Sequence, residues 1–159
     1  MTLQRAIRRI GSLVNRSRDV GSEVYASVTA REAEFAVIDV ETTGLFPTGN
    51  DRVIEVAIVR VTESGAIRDE YSTLVNPGRD LGPTHIHQIK AAEVISAPRF
   101  EDIAGDVADH IAGLPVAGHN VAFDMRFLRS EFQHAGADLP ELPHVCTLAL
   151  AYEVKLPAI

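Results

Sequence analysis

Cysteine is scarce in this sequence, and so are long apolar runs. The only cysteine among the 159 residues is Cys146, so no internal disulfide can form. A reducing compartment is therefore favoured, and we predict a cytoplasmic protein. No apolar run approaches the roughly 18 residues that a membrane span needs, and the start of the chain shows no secretory signal pattern. We accordingly expect no membrane partner.

Positive charge is also in short supply. Lysine and arginine number 15 against 22 aspartate and glutamate residues, which gives a formal net charge of −7. This balance argues against a protein that coats duplex DNA through electrostatics alone. It is compatible with an enzyme that binds one strand end through metal ions, because the cations then neutralise the phosphates. The length of 159 residues, with 46% of them hydrophobic, suffices for one ordinary core and not for two full domains.

The positive charge that is present clusters at the start of the chain. Residues 1–31 hold six arginines and only two acids. Four apolar residues recur there at the spacing of one helical stripe: Leu3, Ile7, Ile10 and Val14. We therefore divide the chain into a basic amphipathic helical segment, 1–31, and a domain, 32–159. The segment has three interpretations: an arm for nucleic acid or a partner protein, an organellar transit peptide, or a helix packed on the domain.

Three predicted strands open the domain. Residues 33–41 form a β-rich apolar run, and residues 52–62 alternate with a near-regular period of two. Residues 67–75 form the third run, after the turn residues 63–65. Connections as short as these predict an antiparallel three-stranded meander.

Helical patterns follow the strands. Residues 83–97 are predicted as a loop with a short helix, and Pro98 suits the first turn of a longer one. Residues 114–118 then read as a brief buried strand. Because a helix crosses over before it, this strand is expected to be parallel to its neighbour in the sheet.

The last predicted elements are a helix that Asn120 can cap and Gly136 can end, and a strand or helix start at 144–150. This order of elements predicts an α/β fold, with a mixed sheet whose first three strands are antiparallel and whose helices flank it. In such sheets chemistry gathers outside the carboxyl ends of parallel strands. That rule points to the surroundings of Asp39 and Asn120.

Three carboxylates are predicted to meet at this edge of the sheet. Asp39 and Glu41 are two residues apart on one strand, so their side chains leave the same face. Asp124 lies in the first turn of the following helix, and its side chain is expected to point back toward the end of the preceding strand. Carboxylates so close repel one another unless a cation lies between them, and oxygen ligands suit Mg²⁺ or Mn²⁺.

Two sequence runs make a family resemblance visible. The run V-I-D-V-E-T-T-G-L at 37–45 resembles the first exonuclease motif of the DEDD superfamily, and V-A-G-H-N-V-A-F-D at 116–124 resembles the second. Between them, residues 52–57 and 74–77 are similar to strands of the DnaQ-like branch, which includes the epsilon subunit of DNA polymerase III. The resemblance implies a ribonuclease H-like fold and metal-dependent hydrolysis of 3′-terminal nucleotides.

The resemblance also implies roles for individual residues. Asp39 would bridge two Mg²⁺ or Mn²⁺ ions, Glu41 would hold the ion on the nucleophile side, and Asp124 would serve the other ion, directly or through water. Asn120 would contact substrate or cap its helix, and capping is the interpretation we favour. The pocket for the 3′ nucleotide would be formed by Thr42, Thr43, Gly44 and Leu45, with Leu45 or Phe46 wedged against the terminal base.

One element of the family pattern is missing after Asp124. The family uses a later H-x-x-x-x-D, whose histidine is the general base and whose aspartate is a fourth metal ligand. His134 and Asp138 are four residues apart rather than five and do not match it. We therefore expect a chain cut short before its last motif and weakly active or inactive by itself. Glu55 and His119 are expected to be structural, and Cys146 a buried small apolar residue.

Three functions remain open at this point. The first is a proofreading or repair 3′→5′ exonuclease that acts on single-stranded DNA 3′ ends, in preference to RNA, and that associates with a DNA polymerase. The second is an exoribonuclease that trims RNA 3′ ends on the same fold. The third is a non-catalytic module that docks on a polymerase.

Overall fold

The computed structural model describes residues 34–154 of the chain. The basic segment predicted over 1–31 lies outside the described residues, so that prediction stays untested. Within the described part, no helix is long and apolar enough to cross a membrane.

One mixed sheet organises the described residues. Its strands, in chain order, are β1 (Glu34–Thr42), β2 (Val53–Thr62), β3 (Ile67–Leu74), β4 (Val116–Gly118) and β5 (His144–Cys146). They lie side by side in the order β3-β2-β1-β4-β5. The pairs β1–β2 and β2–β3 are antiparallel, as predicted for a meander, and β4 is parallel to β1 as the crossover requires. The fifth strand adds a second parallel pair beside β4.

Within residues 34–154, five helices accompany the sheet. They are α1 (Thr84–His87), α2 (Ala91–Val94), α3 (Phe100–Ile111), α4 (Val121–His134) and α5 (Thr147–Glu153), and a 3₁₀ turn spans Pro47–Gly49. The predicted loop at 83–97 therefore contains two short helices. Residues 144–150 were predicted as a strand or the start of a helix, and each is correct in part because β5 passes directly into α5.

The start of α3 differs from the prediction for Pro98. Arg99 is the N-cap residue, so the proline precedes the helix and does not lie in its first turn. The backbone N–H of Arg99 donates to the Asp102 carboxylate at 3.0 Å, which stabilises the helix start. The carbonyl of Pro98 accepts a hydrogen bond from the Asn76 N–H at 2.8 Å. That bond ties the proline to the segment after β3, outside the helix.

The two faces of β1 have different environments. Ile38 and Val40 are buried in the main core, against apolar side chains of α3 and α4. Asp39 is exposed and Glu41 is half-buried on the opposite face. The period-two alternation of the strand thus separates the core from the acidic side chains.

A β-bulge interrupts the β1–β2 ladder at its acidic end. Glu41 pairs with Glu55 and Thr42 pairs with Val53, which leaves Ile54 as the extra residue of β2. Ile54 is fully buried in a second, smaller apolar cluster. That cluster also contains Leu81, Ile89 and Val94. The bulge therefore joins the sheet to the segment that carries α1 and α2.

Candidate active site

Asp124 is brought to the end of β1 by the turn between β4 and α4. Asn120 adopts the left-handed conformation with φ 65°, so the chain reverses within one residue and α4 starts beside the strand. Asp124, only 3% exposed, accepts a hydrogen bond on Oδ1 from the Val40 N–H at 3.1 Å. Because Val40 lies between Asp39 and Glu41 in the chain, this bond places Asp124 beside both predicted partners.

The three carboxylates perturb one another electrostatically. Burial, together with the negative charges of Asp39 and Glu41, raises the pKa of Asp124 to about 6, although the hydrogen bond from Val40 opposes the shift. Burial and Asp39 also raise the pKa of Glu41, with a further increase from Glu55. Burial is the largest cause of both shifts and the neighbouring negative charges add to it, so a bound cation would favour the ionised forms.

The donor chemistry of Asp39, Glu41 and Asp124 fits magnesium or manganese. All three side chains offer oxygen only, which these ions prefer. Within 34–154, no group of three or more His, Cys, Asp or Glu side chains is close enough together to hold an ion as it stands. One oxygen of Asp124 is already committed to Val40, which suits an indirect contact through water.

Two further residues, Glu55 and His87, act at the acidic end of β1. Glu55 faces Glu41 directly across the β1–β2 ladder, so it lies near the site, as predicted. The charge of His87 acts on Glu41 and lowers its pKa. The ring of His87 is itself held by Leu81 O, 3.2 Å from Nε2, and by the Ile89 N–H, which donates to Nδ1 at 3.1 Å.

The predicted nucleotide pocket is the loop that follows β1. Thr42 Oγ1 donates to the carbonyl of Gly44 at 2.6 Å. Thr43 is buried and pairs with Arg52 in both directions: its N–H donates to Arg52 O at 2.9 Å, and its Oγ1 accepts from Arg52 N at 3.0 Å. Side-chain bonds thus close the base of the loop.

Asp51 organises the inside of this loop. One carboxylate oxygen accepts from Thr43 Oγ1 at 3.2 Å and from Arg79 Nη1 at 3.2 Å, and the other accepts from Phe46 N at 3.0 Å. Arg79 also donates to the carbonyl of Asn50. Asp51 packs so closely on Gly44 that a Cβ there would overlap its carboxylate. Gly44 does permit a close approach, and within the described residues the group that approaches is the Asp51 carboxylate.

Leu45 and Phe46 project from this braced loop into solvent. They are 64% and 68% exposed, respectively. Both are large apolar side chains, and hydrogen bonds hold the backbone that carries them. An exposed surface of this kind can be contacted by a flat apolar ligand such as a base.

Asn120 differs from the prediction that its side chain caps α4. It occupies the N-cap position, but its side chain makes no capping hydrogen bond. The backbone of Asn120 is left-handed, whereas a residue whose side chain caps a helix typically has an extended backbone. The exposed amide group of Asn120 is therefore not committed to the helix.

Sequence reasoning missed the ion pair between Arg52 and Glu131. Two nitrogens of Arg52 donate to the two oxygens of Glu131, at 2.8 and 2.7 Å. Glu131 is 1% exposed and lies on α4 seven residues after Asp124. A charged residue on the buried side of an apolar helix was the available signal, since two turns place both acids on one face.

Cys146 also differs from its expected buried, apolar role. It is half-buried at the N-cap of α5. Backbone N–H groups, first that of Ala149 and then those of Val121 and Asn120, lower the pKa of its thiol. Nearby, His119 Nδ1 lies 3.2 Å from Thr147 Oγ1, which ties the end of β4 to α5.

Comparison with known proteins now decides the family. The family profile described as Exonuclease (RNase_T) matches residues 36–156. The chain belongs to this exonuclease family. The DEDD, DnaQ-like assignment made from residues 37–45 and 116–124 is thereby confirmed.

Relatives of this exonuclease domain carry matching names. A DNA polymerase III subunit epsilon-like protein of Rhodobacter capsulatus is 37% identical over 112 residues, 69% of this chain and 16% of the relative. The 3′-5′ exonuclease DinG of Bacillus subtilis is 35% identical over 120 residues, 74% of this chain and 13% of the relative. The chain therefore spans less than a fifth of the length of either relative.

A solved structure confirms the fold of the exonuclease domain. E. coli exonuclease I, in complex with a dT13 oligonucleotide, superimposes with a TM-score of 0.67 at 18% identity. The match covers 80% of this chain and 31% of exonuclease I. The predicted ribonuclease H-like α/β fold is correct.

Proposed function

We propose that this chain carries the core of a metal-dependent 3′→5′ exonuclease that removes nucleotides from single-stranded DNA 3′ ends. The observation that carries the proposal is the Asp124 Oδ1 to Val40 N–H hydrogen bond, which holds a third carboxylate beside Asp39 and Glu41. Three acids in mutual repulsion at one sheet edge suit a cation-dependent phosphodiester hydrolase better than a binding module.

Each carboxylate has a separate task in this proposal. Two bound divalent ions would supply charge stabilisation for the attacking and leaving oxygens of an in-line displacement. Asp39, the most exposed of the three, would bridge both ions. Glu41 would hold the ion beside the attacking water. Asp124 would orient a water that contacts the other ion, because one of its oxygens stays with Val40.

The loop after β1 would position the terminal nucleotide. Thr42 and Thr43 fix the backbone of this loop, and Gly44 admits the Asp51 carboxylate that braces it. Leu45, with Phe46 beside it, would pack against the terminal base. The side-chain amide of Asn120 is free of its helix and would hydrogen-bond the substrate backbone.

Names of relatives support the choice of DNA and of a polymerase partner. The Rhodobacter capsulatus relative is described as polymerase III epsilon-like, and exonuclease I was solved with a DNA oligonucleotide. We therefore propose DNA as substrate in preference to RNA, and a DNA polymerase as partner.

The test is a degradation assay with polarity built in. Oligothymidylate DNA labelled at its 5′ end is incubated with the protein and Mn²⁺, and the products are resolved by length. Stepwise shortening of the labelled strand, abolished by EDTA and by Asp39→Ala, is expected. Immediate release of a labelled mononucleotide would reveal attack from the 5′ end and refute the proposal. Faster shortening of the matched RNA strand would support an exoribonuclease instead.

A further inference from the structure

Helix α4 carries a second buried carboxylate that the proposed chemistry does not use. Glu131 accepts three hydrogen bonds: from Arg52 Nε at 2.8 Å, from Arg52 Nη2 at 2.7 Å and from the Val53 backbone N–H at 2.9 Å. The arrangement is a bidentate, charge-assisted pair with a backbone donor added. It fixes the main chain of residues 52–53 against α4.

The hydrogen bonds continue from Arg52 into the loop after β1. The Arg52 N–H donates to Thr43 Oγ1 at 3.0 Å, and that hydroxyl donates to Asp51 at 3.2 Å. The other oxygen of Asp51 accepts from Phe46 N at 3.0 Å. An unbroken series of bonds therefore runs from Glu131 on α4 to the backbone of Phe46, whose side chain is 68% exposed.

Fold stability alone does not account for this arrangement. Glu131 is buried and Arg52 is 22% exposed, and replacing an ion pair with a buried partner by apolar residues is often neutral or stabilising, so the pair is a costly way to join α4 to β2. The end of the series is a pair of exposed apolar side chains, Leu45 and Phe46, which contribute little to any core. Ordering them in advance benefits a ligand, because the entropy of ordering is then not lost on binding.

We propose that Glu131 is a positioning residue that, through Arg52 and Asp51, holds Leu45 and Phe46 in place for the 3′-terminal nucleotide. The inference rests on the proposed function, in which this loop contacts that nucleotide. Asp124 and Glu131 lie on the same helix, so α4 also sets the distance between the acidic cluster and the loop. A misplacement of about 1 Å in such a site costs about 10²-fold in rate.

The first variant is Glu131→Gln. All three partners of Glu131 are donors, so the amide NH₂ of glutamine opposes a donor in either orientation. We expect kcat/KM for 5′-labelled oligothymidylate with Mn²⁺ to fall about 10- to 100-fold. Binding of Mn²⁺ measured by calorimetry should be unchanged, because the acidic cluster keeps its residues. Hydrogen exchange of the amides at 43–51 should accelerate.

Two further variants separate positioning from loss of stability. Asp51→Asn breaks the same series in the loop and should reproduce the defect even if Glu131→Gln folds poorly. Ile103→Val lowers stability from the far side of the core, on α3, and should leave kcat/KM and loop exchange near the wild-type values. In the Leu45→Ala, Phe46→Ala double variant, adding Asp51→Asn should lower kcat/KM less than twofold, because the side chains that Asp51 positions are gone.

The outcomes are distinguishable. The inference alone is overturned if the wild-type protein degrades DNA and Asp51→Asn leaves kcat/KM unchanged. It is also overturned if the effect of Asp51→Asn on kcat/KM is fully additive with that of the Leu45→Ala, Phe46→Ala double variant. Loss of Mn²⁺ binding in proportion to the loss of activity would also overturn it, since the defect would then lie in the acidic cluster. Wild-type protein that neither binds Mn²⁺ nor degrades DNA would refute the proposed function and the inference with it.

Discussion

Glu55 faces Glu41 directly across the β1–β2 ladder, so two carboxylates oppose each other one strand apart. Like charges in this arrangement are destabilising, and Glu55 contributes to the raised pKa of Glu41. Only one of these two acids belongs to the proposed metal cluster. The difference between them allows the cluster to be tested apart from the local charge.

We expect Asp39→Ala and Glu55→Gln to differ strongly in activity. Loss of the bridging carboxylate should cost roughly 10³-fold or more, because metal-ion stabilisation amounts to several kcal/mol and each ~1.4 kcal/mol is tenfold. Glu55→Gln should cost no more than a few-fold. Rates of nucleotide release are compared, with thermal melts of both variants alongside. Near-wild-type activity in Asp39→Ala, or loss only through unfolding, would show that the two-metal assignment is wrong.

Asp124→Asn should be inactive and yet more stable than the wild type in metal-free buffer at pH 7.5. The pKa of Asp124 is raised from 3.8 to about 6, so folding favours the protonated form. The stability gained from protonation is complete below pH 3.8 and is lost as the pH rises through about 6. Asparagine stays neutral and keeps an acceptor for Val40, which should add about 3 kcal/mol at pH 7.5.

Denaturant unfolding in EDTA at several pH values checks this prediction. The advantage of Asp124→Asn should shrink as the pH falls from 7 toward 4, since the wild-type carboxyl becomes neutral too. An advantage that is independent of pH, or a variant less stable at pH 7.5, would mean that neither burial nor the neighbouring charges disfavour the ionised Asp124 carboxylate.

The 159-residue chain should degrade DNA slowly even with Mn²⁺. No H-x-x-x-x-D follows Asp124 in the sequence, and a general base typically contributes about 10²–10⁴-fold. Added imidazole should therefore accelerate nucleotide release by supplying a base from solution. The control is Asp39→Ala, which imidazole should not restore. A fast wild-type reaction, unaffected by imidazole, would show that the missing motif is not needed.

Gly82→Ala should destabilise the protein more than Gly65→Ala does. Both glycines have positive φ, 72° and 86°, so both substitutions carry the same backbone strain of roughly 1 kcal/mol. Only at Gly82 would the new Cβ overlap the carbonyl of Thr43, while Gly65 faces open space. The difference in free energy of unfolding should exceed about 1 kcal/mol. Equal losses of stability in the two variants would mean that the loop after β1 moves easily to make room for the new Cβ. Such a loop would not hold a nucleotide pocket in a fixed position.

Local pattern was sufficient for most of the fold and for the placement of Asp124 beside β1, where it bonds the Val40 N–H. The alternation of β1 put Asp39 and Glu41 on one face, and the helix that follows β4 brought Asp124 to them. The interactions that were missed join residues far apart in the chain. Glu131 bonds a backbone N–H 78 positions away, and no local signal specifies that partner.

The error at Asn120 has a related cause, and the close contact at Gly44 became visible only in the structure. Both residue types are unusual at these places, but the group that contacts each of them depends on tertiary structure. At Asn120 the backbone of the turn is left-handed, and the side chain makes no capping hydrogen bond. At Gly44 the space is taken by Asp51, seven residues later in the loop.

The bulge at Ile54 has a consequence for how this sheet tolerates deletions. Two backbone groups at the bulge bond outside the β1–β2 ladder: the Val53 N–H donates to Glu131 at 2.9 Å, and the Ile54 carbonyl accepts from Val75 at 2.8 Å on the β3 side of the strand. Deleting Ile54 would regularise the pairing, a change that ordinarily strengthens a ladder. Here it would remove the carbonyl that Val75 uses and displace the N–H that Glu131 uses, so the irregular strand is the one that connects α4 to the segment after β3.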